Sequence, residues 1–178
     1  GGGRATGICG SGILDAVAVM TAHGIVNGRG VLDAAHPLVR DGAFVLAAPG
    51  DDHAAVTVDR KDVAEIQLAK AAIRAGIDLL LREVGLDADA LEAFVIAGAF
   101  GSYIQVESAV RIGMFPALPR DRFSQIGNAA GMGACRLLVS GALRDRADAI
   151  ARTIDYIELT TVPDFQTVFI ERMALTGG

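Results

Sequence analysis

The sequence predicts an α/β domain, and three features carry that reading. Phe94, Val95 and Ile96 form a short apolar run of β-branched and aromatic residues, read as a strand buried on both faces. The run breaks into a Gly-Ala-Phe-Gly turn, Gly98 to Gly101, ahead of a helical pattern over Tyr103 to Ile112, and a long amphipathic pattern precedes it. Aromatics make up 5% and Trp is absent while Ala and Gly abound, a composition suited to close helix–sheet packing rather than to a base-stacking surface.

A chain of 178 residues fits one domain large enough to bury a core, and 52% apolar residues with a mean hydropathy of +0.42 argue against disorder. The net charge of −5, with no basic cluster, argues against nucleic acid and anionic membranes as partners. Cys9 and Cys135 lie far apart without a Cys-x-x-Cys or a neighbouring His, so they read as neither a disulfide framework nor a metal site, and a reduced cytoplasmic setting is expected. The longest uncharged apolar stretch, Ala93 to Val106, falls short of the roughly 18 residues that span a bilayer. The opening Gly-Gly-Gly-Arg, without an initiator Met, reads as a cut within a longer protein.

From the N-terminus, Gly7 to Gly12 is a glycine-rich loop, and Ile13, Leu14, Val17 and Met20 follow at helical spacing up to a His23-Gly24 stop. Ser11 is the expected N-cap, with Asp15 in the first turn favouring the positive end of the helix dipole. The loop carrying Gly10, Ser11 and Gly12 holds phosphate, helps form a hinge, or simply starts a capped helix. The Walker A pattern and the dinucleotide fingerprint are both absent. Phe44 to Leu46 and Val56 to Val58 are expected strands, parted by a Pro49-Gly50-Asp51-Asp52 turn, and His36 and His53 read as surface residues of these connections.

The most regular segment starts at Asp59 or Asp62 and runs to Val84, where Gly85 stops it. Ile66, Ile73, Ile77, Leu80 and Val84 define its apolar stripe, and about 22 helical residues span roughly 33 Å. Gln67, Lys70, Arg74, Asp78 and Arg82 line another face. An Arg74–Asp78 pair there is worth on the order of a few tenths of a kcal/mol. Gln67 and Lys70 have two open readings, a solvated face or contacts to the adenosine part of a nucleotide held at the Gly98 turn. There, Gly98 and Gly101 have no Cβ, so a ligand could come close to the main chain; the plainer account is that they only permit a tight turn.

Beyond the Tyr103 helix, Phe123 to Ile126 reads as a short strand, and Gly127 to Ala134 opens a helix continuing through Leu138. Glycines early in a helix cost about 1 kcal/mol each, and the usual return is close backbone approach to a helix or a ligand. Asn128 either caps that helix or bonds a ligand. Asp145 to Ile154 reads as a helix, Tyr156 to Leu159 as a strand, and Pro163-Asp164 as the start of a last amphipathic helix through Met173.

This order resembles the second half of the actin-like ATPase superfamily, with its mixed sheet flanked by helices on a ribonuclease H-like plan. Ala97 to Gly101 matches that superfamily's adenosine motif, and Gly127 to Ala134 its second connecting helix at the hinge. Within it, Gly7–Asp15, Glu65–Gly76, Ala97–Ile104 and Gly127–Ala134 look like the reductive activators of corrinoid-dependent enzymes, over nearly the whole chain. Ser102 stands where relatives often have Asn.

The resemblance implies a chain that forms one domain, 1–178, the C-terminal half of an actin-like ATPase module. Family members add an upstream phosphate-loop half that positions Mg²⁺ and a ferredoxin domain with a 2Fe–2S cluster, and use ATP to return Co(II) to Co(I) in a corrinoid. It also implies a cleft in which Gly98, Ala99, Phe100 and Gly101 face adenosine and α-phosphate. Gln67 and Lys70 would contribute from the long helix, Gly10, Ser11 and Gly12 would lie near the phosphates, and Asn128 would stand at the hinge helix. Neither the Asp-x-Gly-Thr loop nor four cluster cysteines are in this sequence, so the chain alone is expected neither to hydrolyse ATP nor to pass electrons. The implied partner is a corrinoid protein or corrinoid-dependent methyltransferase, with self-association left open. Two rivals remain: an actin-fold kinase or dehydratase activator, and a non-catalytic docking or dimerisation module.

Overall fold

A computed structural model describes residues 5–50, 53–98 and 100–175. Its spine is the helix expected after Asp59. Numbering helices and strands in chain order, α1 is Gly10–Ala22, β1 Val39–Arg40, β2 Ala43–Ala47, β3 Val56–Asp59 and α2 Arg60–Glu83. The two candidate starts of α2 act together. Asp59 accepts hydrogen bonds from the Lys61 and Asp62 main-chain N–H groups, and Asp62 accepts one from the Asp59 N–H in return. This reciprocal arrangement satisfies N–H groups that the helix itself cannot.

The buried face of α2 differs from the expected stripe. Val63, Gln67, Lys70, Ala71, Ala75, Gly76 and Leu79 are buried, while Ile73, Leu80 and Val84 are exposed and Ile66 and Ile77 half-buried. The reason is the neighbour that each face meets. Ala75 and Leu79 accept Val168 of α6 (Phe165–Glu171), and small residues let that helix lie close.

β1, β2 and β3 form an antiparallel sheet, with Phe44 opposite Val58 and an irregularity between Val45 and Ala47. His36, half-buried rather than on the surface, packs its ring against Phe44. His53 is half-buried too, and Gly50 pairs with it across the turn, whose Asp51 and Asp52 lie outside the described residues. A second, parallel pair joins β4 (Phe94–Ile96) to β5 (Phe123–Gln125), with α3 (Val106–Arg111) in the crossover. Phe94, Phe115 and Phe123 pack at centroid distances of 4.9, 5.3 and 6.3 Å. The main core joins them to Leu14, Val17 and Met20 of α1, Val58, Val63 and Ile112. Each such large side chain taken from water contributes about 1.5–3 kcal/mol.

The helix-flanked α/β plan stands, with the strands divided between two small sheets. Val95 of β4 is 54% exposed, so this strand is covered on one face, not both. α3 starts at Val106 instead of Tyr103, because Gln125 holds the Gly101 and Ile104 carbonyls and keeps that stretch out of helical geometry. α4 (Ala129–Val139) and α5 (Gly141–Ala151) then form a helical hairpin. The expected strand at Tyr156–Leu159 is not formed. Glu158 there accepts hydrogen bonds from the hydroxyls of Tyr156 and Thr160, a local alternative that competes with sheet pairing. The chain returns to the core at Leu175, which is buried and whose N–H donates to the Gly28 carbonyl at 2.9 Å. No helix among the described residues is long and apolar enough to cross a membrane.

Candidate functional site

Parallel strands β4 and β5 end at the same side, and the loops leaving them are laced together. The Ile126 N–H donates to the Ile96 carbonyl at 3.0 Å, and the Gly98 N–H to the Gly127 carbonyl at 2.7 Å. Gly98 has φ +100° and Gly127 φ +65°, left-handed conformations that a side chain resists. A Cβ built on Gly98 would meet nothing within 4 Å, so open space fronts that stretch of main chain.

At Gly101 the structure shows the plainer of the two readings, a tight turn. The glycine is buried, and a Cβ there would lie 2.6 Å from Ile96 Cγ2, so its missing side chain lets the turn fold back on β4. Ala99 lies outside the described residues, and Phe100 opens the single 3₁₀ turn that ends at Ser102. Ser102 Oγ donates to the Gly98 carbonyl at 3.3 Å. Gln125 Nε2 donates to the Gly101 and Ile104 carbonyls, bracing the turn from β5. Sequence reasoning passed over Gln125; its signal is an amide side chain ending a strand directly before Gly127.

Asn128 caps α4, its Oδ1 accepting from the Gly131 N–H at 2.9 Å. The positive end of α4 therefore starts one residue beyond the Gly127 carbonyl that anchors Gly98. Gly10, Ser11 and Gly12 form the first turn of α1, with Cys9 and not Ser11 at the N-cap and Asp15 beyond the first turn. The loop thus continues straight into helix, and α1 packs against α3, the helix that follows the β4 turn. Hydrogen bonds with the Ser11 hydroxyl and then the Gly12 main chain pull the exposed Cys9 thiol below its ordinary pKa.

Gln67 and Lys70 are placed elsewhere. Gln67 Nε2 donates to the Met173 carbonyl at 3.0 Å, and its Oε1 accepts from Arg60. Lys70 Nζ donates to the Ala174 carbonyl and lines a cavity beside Ala88 and Asp89, which precede β4. Both side chains are buried and hold the C-terminal segment on α2, which corrects the expectation of a solvated face and of contacts beside the Gly98 turn. Among the described residues no group of three or more His, Cys, Asp or Glu could hold a metal ion, and Cys9 and Cys135 are free and exposed. These residues do not supply the ligand set of an iron–sulfur cluster.

Bare main chain and a helix start at the C-terminal ends of parallel strands are the features by which α/β folds receive phosphate-bearing ligands. The family model described as the C-terminal domain of RACo, the ASKHA domain, matches residues 1–177. The chain is 38% identical to the corrinoid activation enzyme RamQ of Eubacterium limosum over 92% of its length and 30% of that protein's. It is 29% identical to the [Co(II) methylated amine-specific corrinoid protein] reductase of Methanosarcina barkeri, over 95% of its own length and 29% of the relative's. A solved reductive activator for corrinoid, iron-sulfur protein superposes with a TM-score of 0.86 at 31% identity, covering 94% of this chain and 28% of the other. The chain belongs to the family of RACo C-terminal ASKHA domains. It spans less than a third of the length of these relatives.

Proposed function

We propose that this domain is the adenosine-side half of the ATP cleft in a reductive activator of corrinoid proteins. The observation that carries the reading is the Gly98 turn, where left-handed main chain stands in front of open space at the C-terminal end of β4. There the main chain at Gly98–Gly101 would meet adenosine and α-phosphate, and the α4 start would favour the phosphates' charge. Gly10, Ser11 and Gly12 would form the wall nearer the phosphates. Ser102 and Gln125 keep the turn in shape and touch no ligand in this scheme. Asn128 acts as a cap, and α4 as the hinge helix.

Catalysis of phosphoryl transfer rests on positioning and charge stabilisation. In the whole protein Mg²⁺ and a 2Fe–2S cluster would be held by residues outside this chain, and ATP-driven closure would be coupled to delivering an electron to cobalt. The partner would be a corrinoid protein or a corrinoid-dependent methyltransferase, met in the cytoplasm, and a homodimer is compatible with the reading. Relatives named for corrinoid activation at 38% and 29% identity support the electron-transfer role over a kinase.

Calorimetry of the whole protein with Mg-ATP tests the cleft. Gly98→Val puts a branched side chain into the open space and into a disfavoured conformation, so affinity should fall at least tenfold. Unchanged affinity sinks the assignment and leaves a docking module.

A further inference from the structure

At the opposite end of the β4–β5 pair from the Gly98 turn, α2 and the C-terminal segment enclose a cavity of about 330 Å³. Lys70, Arg74 and Arg172 all line it. Lys70 is 1% exposed, and its ammonium gives a hydrogen bond to the Ala174 carbonyl. Among the described residues no carboxylate lies within ion-pair distance of it. The two guanidiniums share one carboxylate, Asp78, each through Nε at 2.8 and 2.7 Å, and Arg74 Nη1 donates to the Phe115 carbonyl. Asp89 and Glu171 also line the cavity, yet both are exposed and neither forms an ion pair with these cations. A buried ammonium beside two guanidiniums is costly unless an anion completes the group. Burial, and then repulsion from Arg74 and Arg172, pull Lys70 down from 10.5 to about 8, the expected sign of a cation lacking its counter-charge.

We propose that this cavity binds a small free oxyanion, phosphate or carboxylate, between Lys70, Arg74 and Arg172. The ammonium supplies its remaining donors and the guanidiniums their terminal N–H groups, in the forked geometry that suits planar or tetrahedral oxyanions. Bound anion would tie α2 to the segment Arg172–Ala174 and so to α6. The site is independent of the nucleotide cleft, because it lies at the other end of the strands and uses none of its residues.

The test is thermal denaturation of the whole protein against inorganic phosphate and, in parallel, acetate, at ionic strength held constant with sodium chloride. Wild type should show a saturable rise in Tm, and the more effective anion identifies phosphate or carboxylate as the ligand. Lys70→Gln keeps a donor toward Ala174 without the charge, and Arg172→Gln removes a half-exposed guanidinium; each should weaken the apparent affinity at least tenfold. Arg172→Gln carries the test if Lys70→Gln fails to fold. Gly98→Val should respond like wild type. No saturable response in wild type, or an equal response in wild type and the folded variants, overturns the proposal. If Gly98→Val alone loses the response, phosphate is entering the nucleotide cleft; the cavity proposal then fails while the nucleotide reading stands.

Discussion

The packed half of the molecule and the α4–α5 hairpin are both helical and both rich in apolar residues, but they are held in different ways. α1 and α2 bury Leu14, Val17, Met20, Val63 and Leu79 against sheets and neighbouring helices. The hairpin buries no residue at all, and Leu138 and Val139 are 80% and 86% exposed. Its helices are set by local chemistry: Asn128 caps α4, Ser140 caps α5 through the Leu143 N–H, and Arg144 donates to the Leu137 carbonyl at the α4 end. Eleven-residue helices are marginal in water without packing, so local opening should start here. The contrast teaches that apolar periodicity announces a helix without saying whether its partner is in the same chain.

The largest expected effect separates the halves directly. Phe115→Ala removes a buried member of the aromatic trio and should cost about 3–5 kcal/mol in urea unfolding of this chain. Leu138→Ala should stay within about 0.5 kcal/mol. Equal costs would mean that the hairpin is packed after all.

A second test probes the packed half through its buried charge. Lys70 is pulled down to about 8 in the folded chain, so between pH 8 and 10.5 the unfolded chain binds more protons there and stability rises with pH. Subtracting the profile of Lys70→Met should isolate a gain on the order of 3 kcal/mol across that window. A flat difference would place the ammonium in water. The smallest effect belongs to the hairpin. Ser140→Ala should cost about 1 kcal/mol locally, seen as faster amide exchange in α5 with no change in the global midpoint.

Much of the architecture is legible in the sequence. Asp59, Asp62 and Gly85 bracket α2 because caps and stops act over three or four residues. Phe94–Ile96 and the glycine turn were likewise legible, since strand and turn chemistry is local. Of the candidate site, the Gly98 turn and the Asn128 cap are legible, while the role of Gln125 is not: its two bonds reach across 21 and 24 residues to Ile104 and Gly101. For Gln67 and Lys70 the sequence leaves a solvated face and a nucleotide contact both open, because their partners, the Met173 and Ala174 carbonyls, are more than 100 residues away.

By itself, then, the chain determined most of its helices, strands and turns and both ends of α2, because those signals are carried by neighbouring residues. Only the tertiary structure decided which face of α2 is buried, which glycine fronts open space and which folds back on a strand, and that a lysine sits in the interior. Those outcomes depend on which distant segment arrives to exclude water, and residue spacing along one helix does not contain that information.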